Sequence, residues 1–289
     1  LNKDRLSFIG SFMPAVVMLI LIGFGYAFEA GKITAQPGTL ALAAAAAFVL
    51  PMALLLVAAK EREGFAKRFR GFKPRFIPFV LFMGITLALM CFLINWAIAN
   101  LFGAGYNVQH MPLSGEGFPV WQLIIASVVI PAVCEELFFR GALMPALEGE
   151  SFYAAMVVSA LSFAMMHGDM SNFFGPLAAG LMYGYMTYIT GSVWSAVIAH
   201  GINNALTFFI GFMLEKYSVI GLWEYFLVGV TVMFFIFLYI SLGMLEKLVE
   251  RGRVPRIRRS AVMQTAQQIF FSPGVWVLAV IFMAKVIYL

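Results

Sequence analysis

The sequence predicts an all-α fold, a polytopic transmembrane helical bundle of about eight or nine spans, and three observations carry that prediction. Of the 289 residues, 62% are hydrophobic and only 11% are charged, whereas a soluble domain is roughly half apolar and about a quarter charged. The apolar residues come in long runs broken by Gly, Pro and charge, not in the short alternating stretches of a sheet. The basic residues gather in a few of the breaks: seven of the nineteen Lys and Arg lie from Lys60 to Arg75, six from Lys247 to Arg259, and Lys3 and Arg5 precede the first run. A span takes about 20 mostly apolar residues, so no stretch is left for a sizeable soluble domain. Residues 1–289 read as one integral membrane domain.

Taken in order, the runs predict spans near 7–28, 39–59, 77–101, 120–147, 153–168, 173–190, 192–213, 221–244 and 273–289. The first is longer than the apolar core of a signal peptide and is read as a retained span. The three basic segments belong on the cytoplasmic side. An inside N-terminus places the loops after the second and eighth spans inside as well, so the parity agrees with the charge. The loops left outside, 29–38, 102–119, 169–172 and 214–220, hold only Lys32 and Lys216 as bases. The stretch 260–272 reads either as an interfacial helix or as an extension of the last span. Gly180 and Gly184 form a GxxxG pair that lets two helix backbones approach closely. Cys91 and Cys134 lie in apolar runs without metal-type spacing and read as small buried hydrophobes. The net charge of +5 is confined to loops and reports orientation, so no nucleic-acid partner is expected.

Against this background Glu135, Glu136 and Arg140 stand inside the fourth predicted span, His167 in the fifth, and His200 and Asn204 in the seventh. Charged groups at such depth cost at least a few kcal/mol each on insertion scales, so they face a bundle interior or a wet cavity and mark function. The third histidine of the chain, His110, falls in an outer loop and is read as solvated. With a rise of about 1.5 Å per residue from helix ends near Leu147, Tyr153 and Ser192, Glu135, His167 and Asn204 lie roughly 18–21 Å deep and His200 roughly 12 Å. Three helices bring polar groups to one level, as a shared site requires.

Spacing within each helix separates roles. Glu136 and Arg140 are four apart and meet on one face, where they neutralise each other. Glu135 points about 100° away and lacks that partner, which is the situation of a carboxylate available as a general base. His200 and Asn204 are also four apart and present an imidazole and an amide side by side, the donor pair an oxyanion needs. Plain structural readings stand beside these: a buried ion pair tying helices together for Glu136 and Arg140, and an interhelical hydrogen bond for Asn204.

The series Glu135-Glu136-x-x-x-Arg140, Phe163-x-x-x-His167 and His200-x-x-x-Asn204 resembles the EExxxR, FxxxH and HxxxN motifs of the CAAX prenyl protease and bacteriocin-processing family of membrane endopeptidases. The resemblance implies a glutamate-type, metal-independent intramembrane protease with a catalytic core near 120–213. Its substrate would be a peptide or protein, either with a prenylated C-terminus or a leader or pro-peptide. It assigns Glu135 as the base that activates water, His167 as a group that holds that water, and His200 and Asn204 as oxyanion donors, with Glu136 and Arg140 in support. It also implies contact with membrane lipids, a prokaryotic cell membrane as the location, and a site open to the cytoplasmic side.

Three other readings follow from the same residues. Glu135, His167 and His200 form a plausible catalytic zinc set, although HExxH, the commonest helix-borne zinc pattern, is absent. A proton- or ion-coupled transporter would use the carboxylate and histidines as a relay. A non-catalytic scaffold or immunity protein would keep the fold alone.

Overall fold

In hydrocarbon a backbone can pair its polar groups within one segment only by forming a helix, and the long apolar runs do so. The computed structural model describes residues 3–59, 62–101, 117–147, 151–217, 222–254, 267 and 270–288, and every regular element among them is helical. The order is α1 (Lys3–Glu29), α2 (Pro37–Ala58), a short α3 (Arg62–Arg68) and α4 (Ile77–Leu101), then a composite α5 (Val120–Leu147), α6 (Phe152–Met166), α7 (Phe174–Thr190), α8 (Val193–Tyr217), α9 (Trp223–Glu250) and α10 (Pro273–Tyr288). The loop residue His110 and most of 260–272 lie outside the described residues.

Six of these helices, α1, α2, α4, α5, α8 and α9, are long and apolar enough to cross a membrane, and α6 and α10 are shorter apolar helices. The chain is therefore a multi-pass helical membrane protein. The run read from sequence as 173–190 becomes α7, whose 17 residues extend only about 26 Å at a rise of about 1.5 Å each. It is cut short by Gly191, which takes the left-handed conformation (φ 72°) at its C-cap. The preceding run ends at Met166, with His167 as the C-cap of α6 and Gly168 at φ 66° behind it. Both breaks use glycine where a positive φ would strain any other residue.

Close approaches at glycine set the packing around α4, α7 and α8. A methyl group at Gly84 would lie 3.1 Å from the Ala199 Cα, bringing α4 against α8. One at Gly180 would lie 3.2 Å from the Ala160 Cα, and one at Gly184 would lie 2.8 Å from the Met156 Cγ. The GxxxG pair thus draws α7 onto α6, as its spacing predicts. Elsewhere α10 packs along α1, and α2 packs on both α1 and α5.

Helix α5 is continuous but not uniform. It widens into π turns over Ile125–Val129 and Leu137–Leu143, where Ile130 N–H reaches the Ile125 carbonyl and Met144 N–H reaches that of Phe139. Each wide stretch ends shortly before a proline, Pro131 or Pro145. A helical proline has no N–H to give and its ring crowds the carbonyl four residues back. An extra residue in the turn relieves both. The second wide stretch carries Arg140, so a backbone accommodation shapes the position of a buried charge.

Gly180→Val should overpack the α6–α7 contact and cost about 1–3 kcal/mol. Gly229→Ala in α9, where an added methyl meets nothing within 4 Å, should be neutral or stabilise by up to about 1 kcal/mol. Thermal unfolding of both variants in detergent checks the contrast.

Candidate active site

The second π stretch of α5 turns Arg140 into the bundle, where it and Glu136 are both fully buried. Arg140 Nη1 donates to Glu136 Oε1 at 2.8 Å, and Nη2 donates to the Gly180 carbonyl at 2.8 Å. Gly180 admits this contact because a methyl group there would lie 3.1 Å from Nη2. The guanidinium also sits over the rings of Phe163 (4.8 Å), Tyr183 (5.5 Å) and Phe139 (5.6 Å), a set of cation–π contacts that strengthens once water is excluded. The i,i+4 pairing read from the sequence is present.

That pair has a third member. His200 Nδ1 of α8 lies 2.9 Å from the same Glu136 Oε1. A carboxylate accepts only, so Nδ1 carries the hydrogen, and in the neutral ring Nε2 keeps its lone pair. His200 can then donate from Nε2 only as an imidazolium. His167 has the same polarity: its Nδ1 lies 3.0 Å from the Phe163 carbonyl, which leaves its Nε2 as the acceptor. Phe163 stands edge-on to both imidazoles, at 5.1 Å from His167 and 5.4 Å from His200. One aromatic ring therefore spaces the two histidines.

Glu135 behaves differently from its neighbour. It is partly exposed, makes no hydrogen bond among the described residues, and lies within electrostatic reach of His200, Glu136 and Arg140. Asn204, one turn beyond His200, is likewise partly exposed and without a hydrogen bond among the described residues. Glu136, Arg140 and His200 are thus in direct contact, while His167 joins them through Phe163. Glu135 joins through its charge, and Asn204 lies one turn beyond His200 on the same helix. Among the described residues no group of three His, Cys, Asp or Glu side chains is arranged to hold a metal ion. The set Glu135, His167 and His200 does not close into one.

Two residues outside the motifs complete the arrangement. The fully buried ring of Tyr183 stacks on His200 at 5.2 Å with only 17° between planes. Its hydroxyl accepts from Asn203 Nδ2 at 3.1 Å. The sequence marks Asn203 more clearly than Tyr183. Gly180, Tyr183, Gly184 and Thr187 recur at helical spacing and share the buried face of α7, and an amide beside Asn204 in an apolar run invites the same question as Asn204 itself.

Comparison with known proteins bears on this region. Residues 117–206 match the family model described as Type II CAAX prenyl endopeptidase Rce1-like, and this stretch contains all seven residues named in the three motifs. Two proteins of Bacillus subtilis (strain 168) are similar. One, named "Putative membrane peptidase YdiL", is 29% identical over 94 residues, covering 32% of this chain and 38% of the relative. The other, "Uncharacterized protein YyaK", is 34% identical over 117 residues, covering 35% of this chain and 38% of the relative. The chain thus spans 38% of the length of each of these two relatives. No solved structure matches the chain. The likeness read from the three motifs falls within 117–206, the stretch that the CAAX prenyl endopeptidase model matches.

Glu136→Ala leaves the Arg140 guanidinium buried without its counter-charge and should lower stability by about 3–5 kcal/mol. Tyr183→Phe keeps the ring on His200 and loses only the Asn203 hydrogen bond, a cost of about 1 kcal/mol. Unfolding of the two variants side by side in detergent measures the difference.

Proposed function

We propose that this chain is an intramembrane endopeptidase in which Glu135 activates water to hydrolyse a peptide bond. One observation supports the assignment above all. Of the two adjacent glutamates, Glu136 is committed to Arg140 and His200, while Glu135 keeps both oxygens free of hydrogen bonds among the described residues. A general base needs that freedom, together with a position beside groups that respond to its charge.

In this mechanism Glu135 takes a proton from a water molecule held with the help of His167 Nε2. The resulting hydroxide attacks the carbonyl carbon, and the carbonyl oxygen becomes an oxyanion. The Asn204 amide and a protonated His200 donate to it. When the tetrahedral intermediate collapses, the proton held by Glu135 passes to the departing amine. Glu136 and Arg140 fix His200 in its ring orientation and take no part in the bond changes. No step calls on a metal ion.

The substrate is a membrane-associated peptide or protein, of the CAAX type with a prenylated C-terminus or a leader or pro-peptide. It reaches the site from the cytoplasmic side, where the basic loops and the N-terminus are placed by their charge. The surrounding bilayer is that of a prokaryotic cell.

Glu135→Ala should lower the cleavage rate by about 10²–10⁴-fold with an unchanged unfolding temperature, read from peptide products released by the purified chain in lipid vesicles. Preserved cleavage would remove Glu135 from the mechanism. Exhaustive chelation should leave the wild-type rate unchanged. Loss of activity on chelation, restored by zinc, would hand the water to a metal instead.

A further inference from the structure

The basic segment that joins α2 to α4 does more than mark a side of the membrane. From Lys67 to Arg75 it holds five bases in nine residues and no acid. Lys67, Arg70, Lys73 and Arg75 are exposed, and none of the four pairs with a carboxylate among the described residues. The aromatic residues among and beside them turn the other way. Phe65 and Phe76 are buried, and Phe72 packs against the core. Phe69 seats on Gly141, where an added methyl group would lie 2.9 Å from its Cζ. Gly141 directly follows Arg140 in the wide turn of α5.

The same segment also grips α8. Trp194 Nε1 donates to the Phe69 carbonyl at 2.8 Å, and Ser192 Oγ donates to the Arg70 carbonyl at 2.6 Å. These two donors open the helix that presents His200 about two turns later. A single stretch of nine residues therefore touches both helices whose side chains converge on Glu136. It does so through an aromatic ring and two backbone carbonyls, while Lys67, Arg70, Lys73 and Arg75 stay exposed.

We propose that Lys67, Arg70, Lys73 and Arg75 dock onto the anionic headgroups of the surrounding bilayer, and that this docking braces α5 and α8 around Glu136, Arg140 and His200. Charge complementarity and position argue for lipid as the occupant. The bases lead straight into α4, whose Ile77 and Leu81 are exposed apolar side chains, so the segment lies where hydrocarbon gives way to headgroups. Trp194, 37% exposed, stands at the same boundary, the usual place of interfacial tryptophans. A run of four or more bases beside a span is attracted to an anionic leaflet. Through Phe69 and Trp194 that attraction presses on the helices carrying the buried charges.

The activity arm of the test rests on the proposed peptidase reading; the binding arm does not. The full chain in detergent should retain phosphatidylglycerol over phosphatidylcholine in native mass spectrometry. The variant with Lys67, Arg70, Lys73 and Arg75 all changed to Gln should retain it at least about tenfold less. In vesicles, adding phosphatidylglycerol to phosphatidylcholine should raise wild-type cleavage of a neutral peptide by about threefold or more, an increase that salt suppresses. The quadruple variant should match wild type in phosphatidylcholine and show no rise, and Phe69→Ala should bind the lipid normally yet show no rise. A chain keeping Trp194 as its one tryptophan reads the bracing without catalysis, through a blue shift of its emission on phosphatidylglycerol.

Equal retention of the two lipids by wild type would overturn the proposal, as would a quadruple variant that still responds or a Trp194 emission that does not move. So would a quadruple variant that, in phosphatidylcholine alone, weakens cleavage of an acidic peptide and spares a neutral one, since the surface would then read substrate. Base-dependent lipid retention and an emission shift without cleavage in any vesicle would sustain this inference and sink the peptidase reading.

Discussion

One carboxylate oxygen holds the centre of this bundle. Glu136 Oε1 accepts from the Arg140 guanidinium and from the His200 ring, each within 2.9 Å, in an interior where a lone charge costs several kcal/mol. Neither the carboxylate nor the guanidinium is tolerable there alone. Their presence obliges α8 to bring His200 to α5, and obliges α7 to offer the Gly180 carbonyl to the remaining guanidinium nitrogen. The faces of Phe163 and Tyr183 then close over the cation. Four helices are fixed relative to one another by the need to satisfy one ion pair.

The backbone gives way where that pair demands room. The wide turn over Leu137–Leu143 precedes Pro145, so the lost N–H of proline and the placement of Arg140 are settled by the same extra residue. Gly180 supplies the other half: a Cβ there would crowd both Ala160 and the guanidinium, at 3.2 and 3.1 Å, so its absence lets α7 come close to both. The polar site and the small-residue packing are in this sense one feature, because the helices approach closely where the charges need partners.

Much of this was legible in the sequence because it depends on periodicity and on the cost of charge in lipid. The runs gave the helices, and the i,i+4 spacing gave Glu136 with Arg140. Depth counting brought α5 and α8 to a common level before any contact was known. What the sequence could not carry was direction across helices. His200 reads equally well as a neighbour of Asn204 on its own face or as a partner of Glu136 on another helix, and only packing brings its Nδ1 to that carboxylate. Tyr183 hid for a related reason: a tyrosine in an apolar run looks like lipid-facing or core mass until the face it shares with Gly180 is known to be buried. The end of α6 at Met166 falls within two residues of the limit that Gly168 and Asp169 set in the sequence, but that His167 becomes its cap depends on backbone geometry that hydropathy does not carry.

The adjacency of Glu135 and Glu136 now has a physical meaning. Neighbours on a helix point about 100° apart, so two consecutive carboxylates cannot serve one partner, and a helix that carries both must divide them. The inner one is neutralised by Arg140 and orients His200; the outer one is left partly exposed at the edge of that neutralised core, without a hydrogen bond among the described residues. A fixed arrangement of charges beside a free carboxylate is the preorganisation that water activation calls for. Were Glu136 the base, protonating it would cut the hold on Arg140 and His200 in every cycle. In the proposed mechanism the division between these two consecutive carboxylates lets Glu135 change its protonation while Glu136 keeps the helices in place.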